Sequence, residues 1–242
     1  MTSSLVPWES VVAVVSGKGG TGQSAVVAAI ALVMQTFGWK VGILEINPTF
    51  SSVPFYLGFE GIWPTEKSTP QLINGIHYAA GPTAPGRQFS LAKWVRDQVH
   101  SCSFGGQGEC LLIDLPPGPS GWLQYLLGLP NSCLLLVTTP HPTSCTALSG
   151  VLRQAKDWGS QLLGIVENMS FFTCRHGDKF FPFGQGATDR LAAQNALPVL
   201  GHIPLTSRFP SGWQTVPPLA LELEQMTLTI MDRLKLAKIT SR

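Results

Sequence analysis

Val11-Val12-Ala13-Val14-Val15-Ser16 runs directly into Gly17-Lys18-Gly19-Gly20-Thr21-Gly22-Gln23-Ser24, and no other stretch restricts the fold as much. A β-branched run closed by glycines reads as a strand buried on both faces. Gln23 to Phe37 reads as a helix, with Gly38 as its stop signal. Gly-x-x-x-x-Gly-x-Ser between a strand and a helix is a phosphate-binding loop in its expected setting. Glycines let successive N–H groups turn inward as an anion nest, and the helix N-terminus adds positive potential. Four glycines in the six positions from Gly17 to Gly22 are more than a tight turn needs. Ser24 supplies a hydroxyl suited to magnesium. Gln23 stands where such a loop carries a lysine.

The remaining chain repeats the strand–helix alternation. Val41 to Ile46, Leu111 to Leu115, Leu134 to Thr138, Leu162 to Val166 and Val199 to Ile203 read as further strands. Helices are expected at Leu91 to His100, Thr143 to Trp158 and Ala187 to Asn195. Phe50 to Pro85 reads as a Pro-, Gly- and Ser-rich excursion with a short strand at Ile76 to Ala80, and Pro116-Pro117-Gly118-Pro119 forces a loop. Strands separated by helix-length segments predict an α/β fold: a doubly wound, mostly parallel sheet covered on both faces, in a single domain over 1–242. Ligands in such sheets bind at the carboxyl ends of the strands, where the glycine loop lies.

Charged residues make up 12% of the 242-residue chain, against about 25% in ordinary soluble proteins, so much surface is expected to be hidden in a sheet or against a partner. The longest apolar run, Ala25 to Met34, has ten residues, and a membrane span needs about 20. No secretory signal is read at Met1 to Ser10. A net charge of +2 on scattered cations argues against capture of nucleic acid. Five cysteines without a C-x-x-C pair fit a reducing, cytoplasmic setting, with Cys110 and Cys133 as buried fillers. Leu219, Leu223, Met226, Ile230 and Leu234 form a helical stripe expected to pack on the sheet or a partner.

"SGKGGTGQS", "LLIDLPPG" (111–118), "VTTP" (137–140), "GIVENMSFFTC" (164–174) and "LGHIPL" (200–205) occur in this order. Together they resemble the Mrp/ApbC family of nucleotide-binding iron–sulfur carriers, P-loop relatives of MinD and ParA. The resemblance implies an ATP site with magnesium, a homodimer or a heterodimer with a homologue, and iron–sulfur client proteins. Lys18 resembles the signature lysine that reaches phosphate across the dimer. Gly17, Gly19, Gly20, Thr21, Gly22 and Gln23 take the loop positions. Ser24 and Asp114 resemble the magnesium-holding pair, with Leu115 to Gly118 as the switch that senses the γ-phosphate. Asn168 resembles the asparagine that reads the adenine edge, and the backbone near Pro204 would lie beside the base.

Three departures bear on the chemistry. Gln23 removes a cation worth about 4 kcal/mol beside a phosphate at an effective dielectric near 20. At 1.4 kcal/mol per decade, that is about a thousandfold in triphosphate affinity, although the Gln23 amide can still donate a hydrogen bond. Asn47, where the family has an aspartate, can hold a water but cannot take its proton. Glu45, also in place of an aspartate, carries its charge one methylene further out. Cys174-Arg175-His176-Gly177 replaces the cysteine pair that shares a bridging 4Fe-4S cluster between subunits. Cys174 and His176 from two copies are the remaining candidate ligands. The resemblance therefore implies an ATP-binding iron–sulfur carrier with weakened hydrolysis; the alternatives are a pseudo-ATPase paired with an intact homologue and a positioning ATPase.

Overall fold

The computed structural model describes residues 7–46, 51–59, 70–81, 95, 97–99, 108–119, 126, 129, 131–206 and 217–240. Its centre is an eight-stranded sheet. In chain order the elements are β1 (Trp8–Ser16), α1 (Gln23–Thr36), β2 (Val41–Glu45), α2 (Val53–Tyr56), β3 (Gln71–Ile73), β4 (Ile76–Ala80) and β5 (Gly108–Asp114). They continue as β6 (Ser132–Thr138), α3 (Pro142–Asp157), β7 (Leu162–Glu167), β8 (Phe172–Thr173), β9 (Lys179–Phe180), α4 (Ala187–Gln194), β10 (Val199–His202) and α5 (Pro217–Thr240). The sheet order is β10-β7-β6-β1-β5-β2-β4-β3, with β8 and β9 as a separate hairpin. Every pairing in the large sheet is parallel apart from the antiparallel β3–β4 edge.

The strands alternate between two apolar layers. Val12 and Val14 join Ile43, Leu112, Leu135, α1 and α5 on one face. Val11, Ala13 and Val15 join Leu111, Ile113, Leu134 and Leu136 with α3 and α4 on the other. The run Ala25 to Met34 is buried at every position, because α1 is enclosed between the sheet and α5. The α5 stripe Leu219, Leu223, Met226, Ile230 and Leu234 is buried as the spacing predicts, and among the described residues no helix is long and apolar enough to cross a membrane.

Three local elements were not expected from the sequence. Asn74 and Gly75 both have positive φ (46° and 78°) and turn β3 back on β4. That is the Asn-Gly hairpin signal, set within the Pro-, Gly- and Ser-rich excursion. The one-turn helix α2 lies in the same region. The β8–β9 hairpin carries Cys174 and His176 in its turn. The expected helix at Leu91 to His100 lies largely outside the described residues, of which 95 and 97–99 are helical. Cys110 and Cys133 are buried, and burial pushes the Cys133 thiol up to about 12.

Trp8 pins the start of β1 because β2 and β5 offer it glycines. A Cβ on Gly108 would stand 2.1 Å from its ring, and one on Gly42 would stand 2.6 Å away. Gly108→Ala is expected to cost about 1–3 kcal/mol by overpacking. For a chain of this size that lowers the melting temperature by roughly 2–4 °C per kcal/mol, measurable by differential scanning calorimetry. An unchanged melting temperature would show that the ring has room to move.

Candidate functional site

The loop from Gly17 to Gly22 sits at the carboxyl end of β1, in the middle of the sheet. Its glycines serve separate ends. A Cβ on Gly17 would lie 2.2 Å from the backbone nitrogen of Leu148, so the loop is pressed against the α3 main chain. Gly20 and Gly22 hold φ of 81° and 74°, a region that other residues rarely adopt. Gly22 is also the N-cap of α1, and no side chain caps that helix end. The first N–H groups of α1 are thus left for a ligand. An open cavity of about 490 Å³ faces this loop, lined by Lys18 through Ala25, Ser52, Tyr56 and Asp114 through Pro117. The loop has not collapsed, and a polyphosphate has room.

The floor of the cavity is a hydrogen-bonded cluster. Ser24 Oγ donates to Asp114 Oδ2 at 2.6 Å. Gln23 Nε2 lies 2.6 Å from Asp114 Oδ1, 2.6 Å from Leu115 O and 3.1 Å from Val14 O. The sequence expectation gave this amide to a phosphate oxygen, whereas the structure commits both its hydrogens to strands β1 and β5. Gln23 Oε1 is buried without a hydrogen-bond partner. Burial pushes the Asp114 carboxyl up to about 6, against the pull of the Ser24 and Gln23 hydrogen bonds. Ser24 and Asp114 offer the hydroxyl and carboxylate oxygens that a magnesium ion takes.

Glu45 has a different task from the one its position implied. It is fully buried and accepts hydrogen bonds from Ser52 N (3.0 Å), Val53 N (3.4 Å) and Tyr78 Oη (2.5 Å). It anchors the start of α2, whose N-cap Ser52 and last residue Tyr56 wall the cavity. Burial and then the nearby Asp114 charge push its carboxyl up to about 7. Its neighbour of the motif, Asn47, lies outside the described residues.

Asn168 reaches the loop from the end of β7: its Nδ2 donates to Thr21 O at 2.9 Å, and a Cβ on Gly22 would meet it at 2.3 Å. Pro204 lies close by along the chain ladder, since Ser170 N donates to Ile203 O and Leu205 N to Phe171 O. Lys18 leaves the loop in the other direction, its Nζ donating to Thr143 Oγ1 at 3.2 Å on α3. Gly17, Gly19 to Ser24, Asp114 and Asn168 therefore converge on one place, while the Lys18 side chain turns away from it.

Cys174 and His176 do not join them. Both lie in the β8–β9 turn, and the His176 ring accepts from Arg175 Nε at 3.3 Å, so only its backbone N–H meets the Cys174 sulfur. Asp178, which the sequence reading passed over, has its carboxylate 3.7 Å from that sulfur. Among the described residues no group of three or more His, Cys, Asp or Glu side chains is placed to hold a metal. The one thiol in this turn does not meet the cysteine ligation of an iron–sulfur cluster, so the described residues here do not by themselves fit one. Phe172, Phe180, Phe181 and Phe183 are exposed around the same turn.

A second cavity of about 290 Å³ lies between this hairpin and the β7–β10 edge, lined by Glu167, Ser170, Phe171, Lys179, Asp189, His202 and Glu222 among others. His202 Nδ1 pairs with Glu167 Oε1 at 3.0 Å, and Ser170 Oγ donates to the same oxygen at 2.7 Å. The hydrogen bond to Glu167 raises the His202 pKa, with Asp189 and Glu222 adding to the rise. Burial raises Glu167, but hydrogen bonds from His202, Thr188 and Ser170 outweigh it and leave the pKa below the usual value.

Comparison with known proteins shows the same family and fold. The family model described as ParA, NUBPL iron-transfer P-loop NTPase, matches residues 8–235. The iron–sulfur cluster carrier protein of Methanococcus maripaludis is 32% identical over 93% of this chain and 85% of its own length. The carrier of Bacillus subtilis is 29% identical over 80% of this chain, and the match spans only 58% of that longer protein. A nucleotide-binding protein of Archaeoglobus fulgidus solved in complex with ADP is 27% identical, with TM-score 0.64 over 92% of this chain and 88% of that one. The cell division ATPase MinD of Pyrococcus furiosus shares the fold at TM-score 0.68 and 19% identity, covering 93% and 99% of the two chains.

The His202–Glu167 pair gives a pH prediction. A histidine whose pKa is raised on folding stabilises fully at low pH and loses that contribution as pH rises through the raised value, whereas the lowered Glu167 loses its contribution only in acid. His202→Gln should therefore flatten the fall in melting temperature from neutral to alkaline pH relative to wild type. The His202 side chain is 42% exposed. Solvent screening limits the effect to about 1 kcal/mol or less, roughly 2–4 °C. Parallel melting curves for the two proteins would refute the pair's contribution.

Proposed function

This chain belongs to the NUBPL iron-transfer family of P-loop NTPases, and on that premise we propose that it binds ATP with magnesium in iron–sulfur cluster assembly or transfer, with little turnover. The open loop cavity, with the Ser24–Asp114 hydrogen bond at its floor, carries this reading. The loop N–H groups and the α1 N-terminus would seat the phosphates. Ser24 and Asp114 would hold magnesium, which supplies charge neutralisation when bound. Asn168 and the backbone near Pro204 would border the base, and the ADP complex of the Archaeoglobus relative supports an adenine nucleotide here.

Lys18 Nζ donates to the exposed Thr143 hydroxyl on α3, directed away from its own loop, which suits a reach toward the phosphate of a second copy. Slow turnover follows from two losses. Gln23 brings no ammonium to a developing charge, and Asn47 cannot accept a proton. As cargo, a cluster would need ligands beyond this chain, because Gly177 removes the second thiolate. Two copies, each bringing Cys174 and His176, or an intact homologue would supply them in a cytoplasmic setting. A pseudo-ATPase that only senses nucleotide is the second reading, favoured by the commitment of Gln23 to β1 and β5.

Calorimetry with magnesium and ATP should show saturable binding. Gly22→Ala, which puts a Cβ against Asn168 and demands positive φ, should weaken it by about tenfold or more. Equal affinity in the two proteins would contradict the loop as the phosphate seat. Anaerobic reconstitution followed by iron analysis tests the cargo. Cys174→Ala should lose bound iron, and indistinguishable iron content would end the carrier reading while leaving nucleotide binding intact.

A further inference from the structure

We infer that Gln23 makes this site indifferent to the terminal phosphate, so that the nucleoside diphosphate binds as tightly as the triphosphate. The inference rests on the nucleotide-site reading and concerns which nucleotide the site selects.

A lysine at this position offers an ammonium with three mobile donors and a full charge. Gln23 has two amide hydrogens, and three protein acceptors already surround its nitrogen: Asp114 Oδ1, Leu115 O and Val14 O. Reaching a phosphate would leave buried strand-end carbonyls without that donor, a cost the ligand would have to overcome. The other end of the amide is no help, because Oε1 is a buried acceptor with no partner and phosphate oxygens are acceptors too. Lys18 is the remaining cation among the described residues lining the cavity, and it points out to Thr143 on α3.

The features that serve the inner phosphates are intact. Gly20 and Gly22 keep the turn that presents main-chain N–H groups, the uncapped α1 N-terminus faces the cavity, and Ser24 is in place. These contacts are available to a diphosphate and a triphosphate alike. What has gone is the fixed cation that rewards one extra phosphate charge, and the Asp114 carboxylate beside that place offers none in exchange. Selectivity between the two nucleotides therefore falls away while binding itself survives.

The test is isothermal calorimetry of the wild-type chain with ADP and with ATP, each with magnesium at fixed ionic strength. The expected dissociation constants agree within about threefold, and Gln23→Lys shifts the ratio toward ATP by about tenfold or more. Wild-type protein that binds ATP tenfold tighter than ADP overturns the inference but leaves the nucleotide site standing. Binding of neither nucleotide overturns the site itself. The wild-type comparison decides the matter even if the lysine variant fails to fold.

Discussion

The Gln23 amide ties the glycine loop to the two strands that build its floor. Its nitrogen spans the carbonyls of Val14 and Leu115 and the carboxylate of Asp114, joining the start of α1 to the ends of β1 and β5. Ser24, next in sequence, grips the other oxygen of the same carboxylate. Two consecutive residues of one helix turn thus hold both oxygens of a buried acid. The arrangement is locally well satisfied and electrostatically poor: it retains the backbone features that receive phosphate and lacks the charge that would reward its reaction.

The rest of the molecule keeps that cluster in place. Because Ala25 to Met34 of α1 are buried between the sheet, α2 and α5, the helix that presents Gln23 and Ser24 is packed firmly behind the cavity. On the cavity's other wall Glu45 performs a related task, fastening the start of α2 through two backbone N–H groups and taking a hydrogen bond from Tyr78. Its raised pKa reflects the cost of keeping a carboxylate dry beside Asp114. Sequence comparison would describe Glu45 as a lengthened aspartate, but its contacts make it the anchor of a cavity wall.

Much of this was legible before any coordinates. The strand–glycine–helix junction marked the loop that the cavity faces, and the β-branched runs placed the central strands, because both signals are local and periodic. The β3–β4 turn was legible too, as Asn74-Gly75, but the surrounding prolines and serines obscured it. What could not be read were the partners of side chains across long separations. Gln23 and Leu115 stand 92 positions apart, and Asn168 and Thr21 stand 147 apart. Nothing in the spacing of Cys174, His176 and Asp178 showed that the turn would bring Asp178 rather than the His176 ring to the sulfur. Hydrogen-bond geometry at a tight turn decided that.

In the proposed site, main-chain N–H groups seat the phosphates while Gln23 stays bound to β1 and β5. Nuclear magnetic resonance of nitrogen-15-labelled protein, titrated with magnesium and ADP, tests it directly. The backbone amides of Gly19 to Ser24 should shift strongly, while the side-chain amide of Gln23 keeps its position and its protection from hydrogen exchange. A Gln23 side-chain amide that shifts and loses protection as nucleotide binds would show that it leaves β1 and β5 for the phosphate, contradicting a seat built from the main chain alone.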